Sequence, residues 1–218
     1  MKIKSVLYIC SFLLLALSIG CPSIDKPYPE RTFYLFDVTP SSKNSNPIQG
    51  ASIAVNRFSI SPSADGREFI YRTTELEFKT DFYNQFFRPP DNLLTETTRQ
   101  WINQSGVSQD VLSPASRAVP EFIIEGNVVE LYGDYRNESA AKAIIRIQMF
   151  LLQNQPDGTE PKILLAKTYN SEQPIGAASP TALMDGYNRA LEDILGEFAK
   201  DLSYHIRQAQ KSSTKSDS

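Results

Sequence analysis

Two hydrophobic periods follow one another in the second half of the chain, and together they leave few folds open. Between Ala140 and Gln153, Ala141, Ala143, Ile145, Ile147, Met149 and Leu151 occupy alternate positions, with Lys142, Arg146 and Gln148 between them. A period of two places the apolar set on one face of a β-strand. From Leu183 the spacing changes to steps of three and four, through Tyr187, Leu191, Ile194, Phe198, Leu202 and Ile206. That is one stripe of an amphipathic helix, and Asp185, Arg189, Glu192 and Lys200 lie off it. Glu121–Tyr135 and Lys162–Asn170 read as strands flanking the first period, joined by Arg136–Ser139 and by the turn Pro156-Asp157-Gly158. The three strands form an antiparallel meander whose apolar face the helical stripe can cover.

The first half reads less cleanly. Arg31–Val38 and Ala51–Ile60 are β-branched and aromatic and read as strands. Glu68–Phe78 reads as a broken strand or hairpin, and its aromatics continue through Phe82, Tyr83, Phe86 and Phe87. After Pro89-Pro90, Asp91 is a plausible N-cap for a helix over residues 92–105, with Gly106 as its stop. Leu94, Thr98, Trp101 and Ile102 share its inner face. A short strand follows at Val107–Leu112. Runs of strands with two separate helices predict an α+β fold: a mixed, largely antiparallel sheet with two helices packed on one face.

The N-terminus has a different character. Lys2 and Lys4 precede an apolar run from Val6 to Ile19, which ends in a small residue and Cys21-Pro22. This is the layout of a secretory signal over residues 1–20, and it falls short of the about 20 apolar residues that span a bilayer. Ser18-Ile19-Gly20-Cys21 resembles a bacterial lipobox, which implies cleavage before Cys21 and acylation of its thiol and amine. Pro22, Pro27 and Pro29 make residues 21–30 an extended tether. Residues 31–207 then form a single domain, and the polar residues 208–218 read as a disordered tail.

Composition narrows the chemistry. The chain has 218 residues, a net charge of −3, two cysteines and one histidine. Removing Lys2 and Lys4 makes it more acidic, so it lacks the basic footprint of a nucleic-acid binder. Cys10 lies within the signal, which leaves Cys21 without a disulfide partner. A thiolate metal site, a cysteine nucleophile and a multi-histidine metal site are all excluded. No cofactor is expected.

Phe33-Tyr34-Leu35 with Pro40, Ser52-Ile53-Ala54-Val55 leading to Phe58 and Pro62, and Phe69-Ile70-Tyr71-Arg72 carry a family resemblance. It continues through Asp81-Phe82-Tyr83-Asn84-Gln85-Phe86, Pro89-Pro90, the helix with Trp101 and Gly106, the meander and the last helix. Over residues 21–207 the chain resembles the ABC-type transport auxiliary lipoproteins. These are outer-membrane partners of lipid transporters built on mammalian-cell-entry (MCE) proteins, including the paraquat-inducible type. The resemblance implies a non-enzymatic lipoprotein, anchored through Cys21 and facing the periplasm. It also implies docking to a periplasmic MCE protein, with phospholipid handling and self-association as further implications. An envelope-scaffolding lipoprotein that handles no lipid is the alternative.

With no catalytic motif, candidate residues lie on surfaces. Tyr71 and Arg72 offer a phenol and a guanidinium fork suited to a lipid phosphate or a partner carboxylate. The plainer role for Arg72 is an ion pair with Glu75 or Glu77. The aromatic run Phe82, Tyr83, Phe86 and Phe87 could line an apolar groove or an interface, and its plainer role is core packing beneath the first helix. His205 suits the C-terminal end of a helix dipole. Asp65 with Glu68, and Glu125 with Glu130, read as ordinary solvated carboxylates rather than as a catalytic pair.

Overall fold

Phe122–Asp134 is the strand on which the rest of the sheet is laid. In the computed structural model, which describes residues 30–216, the order is β1 (Thr32–Tyr34), β2 (Ile48–Val55), β3 (Ser59–Ile60), β4 (Glu68–Arg72), β5 (Phe78–Phe86), α1 (Pro90–Ser105), β6 (Ser108–Val111), β7 (Phe122–Asp134), β8 (Lys142–Gln153), β9 (Lys162–Pro174) and α2 (Pro180–Ser216). The expected signal, Cys21 and most of the tether lie outside the described residues, as do residues 217 and 218.

One edge of β7 pairs antiparallel with β8 along its whole length, from Phe122↔Gln153 to Asp134↔Lys142, and β8 pairs in the same sense with β9. The other edge is shared in series by three parallel strands. β2 pairs at Phe122–Ile124, β3 at Asn127–Val128 and β4 at Gly133–Asp134. Residues 48–72 are therefore one interrupted strand running beside β7. β6 extends the sheet from β2 in parallel, β5 extends it from β4 antiparallel, and β1 closes that end in parallel with β5. The long ladders are antiparallel and the short ones mostly parallel, so the mixed, largely antiparallel α+β architecture is the one observed.

Alternation along the central strands builds the core. Phe122, Ile124 and Val128 of β7 and Ala143, Ile145, Ile147, Met149 and Leu151 of β8 are buried beneath the helices. The stripe Leu183, Tyr187, Leu191, Ile194, Phe198, Leu202 and Ile206 is buried throughout. α2 packs on β8, β9 and β2, and α1 packs on β2, β6 and α2, so both helices cover one face. Gly186 permits the closest approach, because a methyl there would lie 2.7 Å from Ala143 Cβ and Ile175 Cγ2.

Three expectations are corrected. Ala51–Ile60 is not one strand: it breaks at residues 56–58, where Phe58 turns into the core against Gly126 and its amide donates to Thr95 Oγ1 at 2.9 Å. Asp91 is not the N-cap of α1. The helix begins at Pro90, whose ring fixes φ at no cost in the first turn, and Asp91 is buried inside that turn, 2.8 Å from Arg57 Nε. The stop at Gly106 holds, with φ +67°. Finally, residues 208–216 are helical rather than disordered. Arg207 Nη2 donates to Asn46 O at 2.7 Å and Gln210 Nε2 to Gln49 O at 2.9 Å, which holds the end of α2 to the segment that enters β2.

Candidate interaction surface

The aromatic stretch after Lys79 is shaped by a break in strand register. Phe69 pairs with Asp81 but the adjacent Glu68 pairs with Gln85, so residues 82–84 bulge out of β5 without partners in β4. Asp81 holds the bulge. Its Oδ1 accepts the amides of Tyr83 and Asn84 at 2.9 and 3.1 Å. Its Oδ2 accepts Asn84 Nδ2 at 2.8 Å and the Tyr71 hydroxyl at 2.9 Å. Burial alone would push the Asp81 carboxyl up. The hydrogen bonds from Asn84, Tyr71 and the two amides outweigh it and hold the group below its ordinary value. Burial, with the bond to Asp81, pushes the Tyr71 hydroxyl well above its ordinary value. Gln85, buried, closes the loop by donating to Phe82 O at 2.9 Å.

A bulge re-aims side chains, and here it turns Phe82 and Tyr83 outward. β1 lies beside it and adds Phe33, and Leu35 and Phe87 follow the two strands. These five are 41–53% exposed, an unusual concentration of large apolar groups at one end of a sheet. Phe33 meets Phe87 edge-on at 6.3 Å. The Arg31 guanidinium lies 3.9 Å from the Phe82 ring centroid, and that of Arg67 lies 5.2 Å from Phe33. Neither arginine has an ion-pair partner among the described residues.

The candidate residues do not form one site. Phe82 and Tyr83 belong to this platform. Tyr71 supports it from behind, bonded to Asp81 and edge-on to Tyr135 at 5.2 Å. Phe86 does not: it is buried against Phe36, Phe69 and Tyr187, because the register recovers at Gln85 and returns it to the core face. Arg72 is at the far end of the hairpin, bonded to the Glu75 carboxylate and carbonyl at 3.0 Å. Arg136 ties that same Glu75 to Asp134, so Arg72 belongs to a structural ion cluster. Phe87, the last ring of the expected aromatic run, belongs to the platform, whereas nothing in the sequence singles out Arg31, Phe33 or Leu35 as site residues. The signal available in the sequence was Asp81 followed by Tyr83-Asn84, since an aspartate readily accepts the amide two residues on.

Elsewhere, His205 lies edge-on to Tyr204 at 5.2 Å. Burial raises the Glu121 carboxyl above its ordinary value, at the edge of the cleft that His205 also lines. Among the described residues no group of three or more His, Cys, Asp or Glu is placed to hold a metal, and no helix is long and apolar enough to cross a membrane.

No protein-family model and no curated protein matches the chain. Solved structures do. A Xanthomonas campestris protein of the DUF330 family model superposes with a TM-score of 0.71 at 18% identity, over 83% of this chain and 99% of that one. An uncharacterised protein superposes with a TM-score of 0.62 at 11% identity, over 79% of this chain and 99% of the other. At such identities the likeness is one of fold. The chain thus has the α+β architecture of a DUF330 structure, with an exposed aromatic platform at one end of its sheet.

Proposed function

We propose that this chain is a non-enzymatic envelope lipoprotein, anchored in the outer membrane through acylated Cys21. It serves as the accessory of an ABC-type, MCE-based lipid transport system and docks the periplasmic component at that membrane. The observation that carries the membrane-anchored, contact-making part of the reading is the aromatic platform, built at the point where the chain leaves its tether. An apolar surface held open by a dedicated bulge suits a protein that works by contact rather than by turnover. The signal and Cys21 supply the anchor. The shared fold with a DUF330 structure over nearly the whole of that chain supports the domain assignment, and self-association would multiply the contact surface.

Purification of the acylated chain from membranes tests it. An MCE protein and phospholipid should co-purify. Envelope proteins recovered without either would point to scaffolding instead. Cys21→Ser should release the chain from the membrane fraction. Normal processing and fractionation of that variant would remove the anchor from the reading.

A further inference from the structure

We propose that the platform of Phe33, Phe82, Tyr83 and Phe87 seats directly on the lipid surface that carries the anchor, with Arg31 and Arg67 meeting lipid phosphates. The inference rests on the membrane-tethered reading above and assigns the occupant of its surface.

The first argument is where the described chain begins. Arg31 is itself part of the platform, stacked on Phe82, and Phe33 follows two residues later. Nine residues, Pro22 to Glu30, separate Cys21 from Arg31, and the ten Cα–Cα steps reach about 35 Å when fully extended. The tether therefore joins the domain at this end of the sheet and keeps the platform within reach of the bilayer.

Chemistry is the second argument. Aromatic rings with a polar tip collect at the headgroup level of membranes, and arginine buries its stem while its head stays among phosphates. Tyr83 presents such a tip, since its hydroxyl has no partner among the described residues. Among the described residues Arg31 and Arg67 have no carboxylate partner, on a chain whose net charge is −3. Their placement concentrates positive charge around the rings, which complements anionic headgroups. A core function is ruled out for rings that are half exposed.

The test uses the acylated full chain in vesicles of phosphatidylethanolamine and phosphatidylglycerol whose acyl chains carry bromine, a contact quencher of indole. Trp101, the single tryptophan, is 4% exposed and gives a shielded background. Tyr83→Trp places a second indole on the platform. Tyr204→Trp places one on an exposed face of α2, about 25 Å of helix beyond the Tyr187 that backs the platform. Brominated lipid should quench Tyr83→Trp severalfold more than Tyr204→Trp or the parent. Arg31→Gln with Arg67→Gln should reduce that quenching severalfold. Melting curves matching the parent certify each fold, and Phe82→Trp replaces any Tyr83→Trp protein that fails.

Equal quenching at the two positions overturns the inference. So does emission from Tyr83→Trp that responds only when an MCE protein is added, which would give the platform to protein docking. The mass of the N-terminal peptide separates the two levels. An unacylated Cys21 removes the anchored reading and this inference with it. An acylated chain with unquenched Tyr83→Trp removes the inference alone, because no transporter is present in the assay.

Discussion

The Tyr71 hydroxyl donates to Asp81 Oδ2 at 2.9 Å, while its ring stands edge-on to Tyr135 just beyond the end of β7. One side chain thus couples the bulge that presents Phe82 and Tyr83 to the central strand of the sheet. The platform is exposed, but the carboxylate that shapes it is held from within.

Removing that carboxylate should disorganise the platform before it disturbs the fold. Asp81→Ala deletes the acceptor of four hydrogen bonds. We expect a loss of about 1–3 kcal/mol, the usual cost of orphaning such donors. Urea denaturation checks the size. Amide exchange at Tyr83 and Asn84 should accelerate more than at the β7–β8 ladder, and uniform acceleration would show that Asp81 supports the whole sheet instead.

Acid should weaken the fold in a particular window. Asp81 is held low as described. In Asp201 burial acts upward, but hydrogen bonds from Lys167 and Tyr169, each 2.7 Å long, outweigh it and lower its carboxyl. A carboxyl whose folded value is depressed adds stability that is present above its unfolded value, about 3.9, and lost as pH falls through the folded value. Urea midpoints should therefore hold down to about pH 5 and fall below about pH 4. The fall should be shallower in Asp81→Asn. Glu121, raised by burial, works in the opposite direction: its ionisation opposes folding as pH rises.

Phe86 and Tyr83 should separate stability from contact. Phe86 is 2% exposed and Tyr83 41%. Phe86→Ala should cost about 3–5 kcal/mol. Tyr83→Ala should leave the melting temperature within a degree or two and, if the proposed membrane contact holds, should weaken binding to lipid vesicles. A stable Phe86→Ala protein would contradict the core assignment.

The buried stripe of α2 makes a third contrast. Leu191 and Phe198 are fully buried, whereas Glu192 sits off the stripe. Leu191→Ala and Phe198→Ala should each lower stability by about 2–5 kcal/mol, and Glu192→Ala by little. Calorimetric scans of the three proteins would show it, and equal small shifts would mean that the face is wrong.

What the sequence made legible follows from how locally burial is decided. Along β8 and α2 the pitch of the element alone sorts each residue inward or outward, so alternation at Ala141–Leu151 and the stripe from Leu183 to Ile206 could be read directly. The platform could not. Phe82, Tyr83 and Phe86 look alike in sequence, and only the lack of β4 partners for residues 82–84 sends the first two outward and returns the third to the core. Phe58 is a similar case: its burial depends on the room above Gly126, which belongs to a strand far along the chain. The end of α2 was misread because the bonds from Arg207 and Gln210 reach back to Asn46 and Gln49.

The serial pairing of β2, β3 and β4 along a single edge of β7 has a consequence for how the protein is made. A chain emerging from its N-terminus produces residues 48–72 long before the strand that aligns them exists. Until Phe122–Asp134 has appeared, those strands lack the template that aligns them in series, and the ladders open to them are the β4–β5 hairpin and the short β2–β6 pair. Such non-local pairing is slow and leaves unpaired strand edges exposed in the meantime. The nascent first half is thus the vulnerable stage in this protein's life, and a chaperone that shields residues 48–72 until β7 emerges would raise the yield of folded protein.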